Sequence, residues 1–190
     1  SEVVAVEGSP RRARIARERT RDLDGVEVIA ANIQELSLEP ESFDVVTLIG
    51  VLEYAQVFVG GERPFHTLLE DARKHLKPNG VLIIAIENKL GLKYFSGAPE
   101  DHLGQPFLGL EDRYTNRSAR TFGASELRQL IEESGFSESQ LLGSFPDYKV
   151  PQFILSEDGA SVEHGCRQPS RHRARKLIHR SRPSSSKSRC

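Results

Sequence analysis

The chain has no methionine, not even at position 1, no tryptophan, and only two cysteines in 190 residues. Both cysteines, Cys166 and Cys190, lie near the end, so there is no disulfide framework and no cysteine-based metal cluster to read. No apolar run approaches the ~20 residues that span a bilayer, and no secretory signal opens the chain. A core without cysteine fits a cytoplasmic location. The missing initiator, with a first residue almost inside an apolar run, leads us to expect a fragment or a processed chain. Charge of one sign is also missing locally. From His164 to Cys190 there are seven Arg and two Lys and no acid, which leaves 17 basic residues against 27 acids before it. An acidic main body excludes nucleic-acid binding through a general basic surface.

What the sequence does contain is an alternation of strand-like and helix-like segments. Val3-Val4-Ala5-Val6-Glu7 is short, β-branched and apolar, the pattern of a buried parallel strand, and it ends on an acid. Ser9-Pro10 then reads as an N-cap with proline at the first helical position, opening a helix over 11–23. Asp24-Gly25 turns the chain into a second strand, Val26 to Ala31. Phe43 to Ile49 is a third strand. Pro64 to Leu76 carries apolar residues at three- and four-residue intervals and predicts a helix. Lys77-Pro78-Asn79-Gly80 stops it, and Val81 to Ile86 makes a fourth strand. Residues 87–123 show little periodicity and many Gly, Pro and aromatic residues, a length that is usually functional or unstructured in a compact domain. A helix over 125–135 follows, then two short strands, Gln140 to Phe145 and Gln152 to Ser156, predicted to pair antiparallel. This order argues for an α/β fold with a mostly parallel, Rossmann-like sheet flanked by helices. We divide the chain into a domain at 1–158 and an Arg/Ser-rich tail at 159–190, expected to be disordered.

The strand ending in Glu7, the strand leading to Asn32, the Phe43-Asp44-Val45-Val46 strand, the Leu76-Lys77-Pro78-Asn79-Gly80-Val81-Leu82 segment and the final Ser134-Gly135-Phe136 occur in an order that resembles class I S-adenosylmethionine-dependent methyltransferases. The resemblance covers about residues 2–156. Two stretches, 87–102 and Phe145-Pro146-Asp147-Tyr148-Lys149, resemble a bacterial branch associated with glycosyltransferases and cell-surface polysaccharide assembly. The family's first strand and its glycine-rich loop have no counterpart here. The resemblance places that strand between the one ending in Glu7 and Phe43–Ile49; whether those two pair directly in its absence is open. The missing loop predicts weak or undetectable binding of the cofactor, S-adenosylmethionine, by this chain.

What the resemblance implies for individual residues can be set beside plainer readings. Glu7 matches the acid that takes both ribose hydroxyls, with Gly8 beside it; a carboxylate offers two acceptor oxygens to two vicinal donors. The plain reading is a solvated strand-end acid. Asn32 and Ile33 match the adenine contact, or simply end a strand. Gly50 and Val51 match the segment beneath the methionine moiety. Glu53 is a candidate for orienting an acceptor hydroxyl, while Tyr54 reads as packing. Asp101 and His102 form a candidate acid/base pair, the carboxylate standing behind an imidazole that removes a hydroxyl proton; the plain reading is a solvated loop histidine. Arg113, Arg117 and Arg120 read either as a clamp for an anionic acceptor or as ordinary loop charge. His66 and His75 read as surface residues. No metal-ligand spacing is legible, so no metal is expected. The expected activity is methyl transfer to oxygen of a small molecule, a sugar or a glycan intermediate, with a glycosyltransferase domain or enzyme as partner. A noncatalytic Rossmann-like module of glycan assembly is the alternative. A nicotinamide-dependent oxidoreductase shares the strand–acid logic, but the Leu-Lys-Pro-Asn-Gly segment and the last strand pair argue against it.

Overall fold

The computed structural model describes residues 2–157, and the expected tail at 159–190 lies outside them. The first unit is β1 (Val3–Glu7), α1 (Pro10–Arg19) and β2 (Val26–Ala30). β1 and β2 run parallel in register from Val3 opposite Val26 to Glu7 opposite Ala30. Ser9 caps α1 as its sequence predicts, accepting from the Arg12 amide, with Pro10 in the first turn. The helix ends earlier than expected, at Arg19. The Thr20 hydroxyl donates to the Ala16 carbonyl, 2.9 Å away, and closes the last turn. The Arg17 guanidinium donates to the Val28 carbonyl at 2.7 Å and ties α1 to β2.

The second unit is β3 (Phe43–Ile49), the short α2 (Ala55–Phe58), α3 (Pro64–His75) and β4 (Leu76–Ala85). β3 and β4 are parallel, but their register jumps: Phe43 faces Leu76, and Val45 already faces Val81. The Lys77-Pro78-Asn79-Gly80 segment, expected as a turn between helix and strand, is instead a bulge inside a longer strand, with Asn79 in the left-handed region at φ 66°. Proline lacks an amide to donate and Asn tolerates positive φ, so these residues fit a ladder interruption as well as a turn.

Period-two alternation sends Val46 and Leu48 of β3, with Leu82 and Ile84 of β4, to one face, where they pack with Leu52, Leu68, Leu69, Ala72, Phe122 and Leu130. The Phe65 and Phe122 rings meet edge to face in this layer at 5.0 Å. The opposite face of the same two strands is bare: Val45, Ile49, Val81 and Ile83 are each about half exposed.

Residues 87–123, expected to be irregular, are ordered around α4 (Leu92–Phe95) and bury Tyr94, Leu108, Ala119 and Thr121. The Tyr114 hydroxyl meets Thr121 Oγ1 at 2.6 Å within this loop. α5 (Ala124–Glu133) follows, then β5 (Leu142–Phe145) and β6 (Phe153–Ser156), which pair antiparallel as expected. His66 and His75 are not free on the surface. His66 meets Glu133 of α5 at 2.9 Å, and His75 lies 3.8 Å from Asp71. Among the described residues no ladder joins β1 to β3, so the two strands do not pair directly.

The start of α5 gives a pH prediction. Glu126 accepts from the Gly123 amide at 3.2 Å and lies 2.8 Å from Lys89 and 2.9 Å from Arg120. Burial pushes its carboxyl up, but Lys89, the Gly123 amide and Arg120 together outweigh burial and hold it below the usual carboxylate range. A lowered folded-state pKa stabilises the fold above the unfolded value near 4.5 and loses that contribution as pH falls through the folded value. Urea unfolding at successive pH values below 5 should therefore show a loss that Glu126→Gln makes shallower.

Candidate active site

Each parallel pair presents the carboxyl ends of its two strands together, the edge at which open α/β sheets bind ligands. Glu7 ends β1, Asn32 follows β2, Gly50 follows β3 and Glu87 follows β4. Beyond β3 and β4 lies a cavity of about 530 Å³, lined by residues from four segments. Gly50, Glu53 and Tyr54 come from the turn after β3. Glu87 comes from the end of β4, Asp101 and His102 from the ordered loop, and Tyr148 and Lys149 from the β5–β6 connection.

Gly50 sits at φ 64°, and a Cβ there would lie 3.0 Å from the Tyr148 hydroxyl and 3.6 Å from Glu53 Oε1. Glycine is thus required twice, by the backbone angle and by the close approach of the hairpin. Glu53 is 1 % exposed, and its Oε2 has no hydrogen-bond partner. Burial, aided by the nearby Glu87 charge, pushes its carboxyl up. Glu87 is 8 % exposed. Its Oε1 accepts from Lys149 Nζ at 2.6 Å, and its Oε2 lies 3.3 Å from His102 Nε2. The His102 imidazole, against the cost of burial and with help from Lys149, holds the Glu87 carboxyl down to about 2. The same Glu87 contact raises His102 above the ordinary imidazole range, and Lys149 is likewise raised. The other ring nitrogen of His102, Nδ1, meets the Tyr54 hydroxyl at 2.9 Å, with the two rings edge to face at 5.2 Å. Glu100 Oε2 accepts from the His102 and Leu103 amides at 2.8 and 2.7 Å and fixes the loop that carries the imidazole.

Sequence adjacency misplaced one partner. Asp101 does not stand behind His102. Its Oδ2 accepts from Lys93 Nζ at 2.6 Å and from the Tyr94 hydroxyl, and Glu87 takes the place expected of it beside the imidazole. Asp101 still lines the cavity. Tyr54, expected as packing, is instead a hydrogen-bond partner of the site. The loop arginines carry no anion clamp: Arg113 pairs with Glu111, Arg120 pairs with Asp112 and Glu126, and neither they nor Arg117 line the cavity.

The residues expected at the cofactor divide. Gly50 lines the cavity. Ile33 and Val51 pack against the core. Glu7 Oε1 accepts from the Ser9 amide and from Arg12 Nη2, each at 2.8 Å, and around Gly8 there is open space. Asn32 stands before a single 3-10 turn and makes no capping bond with its side chain. Glu87 with Lys149, and Tyr148 above Gly50, were not read as contacts from the sequence. The one available signal was that the 87–102 and 145–149 stretches both resembled the same branch, and they meet at this cavity.

The fold is the Rossmann-like α/β fold found in S-adenosylmethionine-dependent methyltransferases. More particularly, residues 1–84 match the methyltransferase domain family. An S-adenosylmethionine-dependent methyltransferase from Thermotoga maritima is 28% identical, with 73% of this chain and 57% of that one covered at a TM-score of 0.50. One from Methanosarcina mazei shares 16% identity over 80% of this chain and 78% of its own, with a TM-score of 0.57. The N-methyltransferase NodS of Bradyrhizobium japonicum shares 18% identity over 77% and 67%, at 0.50. The chain thus spans 57% of the Thermotoga structure and also of a Bacillus halodurans one. No curated protein matches the sequence. Among the described residues no helix is long and apolar enough to cross a membrane.

Proposed function

We propose that the protein transfers a methyl group from S-adenosylmethionine to a hydroxyl oxygen of a sugar or glycan intermediate held in the cavity beyond β3 and β4. The observation that carries this reading is the buried Glu53 carboxylate, whose free Oε2 belongs to a residue lining that cavity. A buried carboxylate left without a donor is costly unless a ligand satisfies it. Carboxylates, tyrosines and an imidazole suit a hydroxyl-rich acceptor better than an anionic one, because acids outnumber the one lysine lining the cavity.

The cofactor, when bound, supplies a sulfonium methyl to a nucleophile aligned with it. Glu7, Gly8, Asn32, Ile33, Gly50 and Val51 would hold it. The fit rests on Glu7 and Gly50. The Arg12 contact, against slight burial and with help from the Ser9 amide, keeps the Glu7 carboxyl low and therefore ionised, and Oε2 remains for a diol. Gly50 brings bare backbone to the cavity wall. On the acceptor side Glu53 receives the hydroxyl hydrogen. Both ring nitrogens of His102 already face protein groups, so in this reading it is a positioning residue, held by Glu87 and Tyr54. Most of the rate enhancement then comes from alignment. A glycosyltransferase domain or enzyme is the expected supplier of the acceptor. The support is that the 87–102 and 145–149 stretches, which carry that finer resemblance, line one cavity.

Among the described residues one edge each of β1 and β3 has no ladder partner, which favours a second reading, a noncatalytic module that binds a partner enzyme. Calorimetry with S-adenosylmethionine separates the two. We expect weak or undetectable binding by this chain and micromolar binding by a form extended through an upstream strand and glycine-rich turn. Glu7→Ala in the extended form should weaken it about tenfold or more, the effect of losing a charged hydrogen-bond acceptor. An extended form that binds no cofactor would sink the methyltransferase reading.

A further inference from the structure

Three of the buried polar atoms that lack a hydrogen-bond partner belong to residues that meet at the cavity wall. They are Glu53 Oε2, Glu87 Oε2 and His102 Nε2. Ligand atoms of these three residues lie within 4.8 Å of one another. They arrive from the turn after β3, the end of β4 and the ordered loop, so no single segment explains their meeting. We propose that Glu53, Glu87 and His102 hold a divalent first-row metal ion in the wall of the acceptor cavity, with its remaining coordination positions open to the acceptor.

The His102–Glu87 separation and the surroundings both fit. Two ligands about 2.1 Å from one ion, at tetrahedral to octahedral angles, stand roughly 3.0–3.4 Å apart. His102 Nε2 and Glu87 Oε2 stand 3.3 Å apart without making a hydrogen bond. Each is also held from its far side, as ligands of protein-bound metals are. Tyr54 fixes Nδ1 of His102, Lys149 fixes Oε1 of Glu87, and Glu100 holds the His102 amide. Glu53 is the independent indication. Its side chain is 99 % removed from solvent, lines the cavity, and keeps an oxygen with no donor. Of the other charges nearby, Glu100 is turned by one oxygen to the His102 and Leu103 amides and carries no cationic partner among the described residues. Asp101 is paired with Lys93, and Lys149 sits on Oε1 of Glu87. Two carboxylates and a neutral imidazole carry two negative charges, which a divalent cation cancels. Two oxygens and one imidazole nitrogen suit Mn²⁺ or a similar ion better than a thiolate-seeking one.

The inference rests on the cavity being the acceptor site of the proposed methyl transfer, and it deepens that reading: Glu53 would meet the acceptor hydroxyl through the ion. A hydroxyl on a divalent metal gives up its proton more readily. The spacing of residues 53, 87 and 102 gives no sign of this in the sequence, which is why no metal was expected from it.

Mn²⁺ alone is the probe, because two carboxylate oxygens and one imidazole nitrogen suit it. The full chain, stripped with a chelator, is titrated with MnCl₂ by calorimetry and by electron paramagnetic resonance. The expected result is one Mn²⁺ per chain with a dissociation constant below about 100 µM, weakened at least tenfold in Glu53→Gln and in His102→Gln. Mn²⁺ should raise the thermal midpoint of the wild type and leave that of Glu53→Gln unchanged. Tyr54→Phe removes no ligand and should weaken Mn²⁺ about tenfold through the lost Nδ1 contact, so the site stays testable if either ligand variant fails to fold. No binding up to about 1 mM, or equal binding by wild type and all three variants, overturns the metal site. Because Mn²⁺ is read without cofactor, its failure is distinct from failure of the methyltransferase reading, which the S-adenosylmethionine titration decides.

Discussion

Leu69→Ala is expected to cost about 3 kcal/mol, within the range of large-to-small changes in well-packed cores. Leu69 lies on α3 with no exposed surface and packs in the layer that holds Leu48, Leu52, Phe122 and Leu130. That layer covers one side of β3 and β4 only, so little neighbouring structure can collapse into the void. A domain of this size has about 5–15 kcal/mol of stability to lose. Urea denaturation followed by circular dichroism measures the change. Val81→Ser on the bare side of the same strand pair is the control, expected to shift stability by no more than about 0.5 kcal/mol. A loss below about 1 kcal/mol for Leu69→Ala would contradict the packing of α3 on the strands.

The second large effect is on turnover. In the extended form that is expected to bind cofactor, Glu87→Ala should lower S-adenosylmethionine-dependent methyl transfer by at least a hundredfold, about what a misplacement of 1 Å at a reacting centre costs. Among the described residues Glu87 pairs with both His102 and Lys149. Without it the imidazole loses its partner at Nε2, and the β5–β6 connection loses its anchor to β4. Lys149 is exposed enough to turn to water, so the loss falls on geometry more than on stability. Turnover of the acceptor is measured beside cofactor affinity, and cofactor affinity should be nearly unchanged because Glu7 stands apart from the cavity lining. A variant with full turnover would remove Glu87 from the acceptor site.

The parts legible in the sequence were those written by local chemistry. Ser9-Pro10 marks the start of α1, the 64–76 periodicity marks α3, and the run at 43–49 marks β3, because capping, helical period and apolar runs act over a few residues. Lys77-Pro78-Asn79-Gly80 was read with the right residues and the wrong context. The same left-handed Asn and donor-less Pro serve a turn or a bulge, and only pairing with β3 decides. The site was half legible. Glu53 and His102 stood out as candidates, and both line the cavity. Asp101 was matched to His102 because they are adjacent, yet the two sit on a turn where neighbours need not face each other, and Asp101 turned to Lys93 and Tyr94. Glu87, His102 and Lys149 are brought together by tertiary packing across 62 residues of chain, and no periodicity encodes such a meeting.

The uncovered side of β3 and β4 has a thermodynamic consequence. With Val45, Ile49, Val81 and Ile83 facing water, the free energy of folding is not a fixed property of the sequence but a function of what else is in solution. Anything that settles on this strip favours the folded form over the unfolded one in proportion to the logarithm of its concentration. The same four side chains that weaken the domain when it is dilute therefore make its melting temperature a gauge of company.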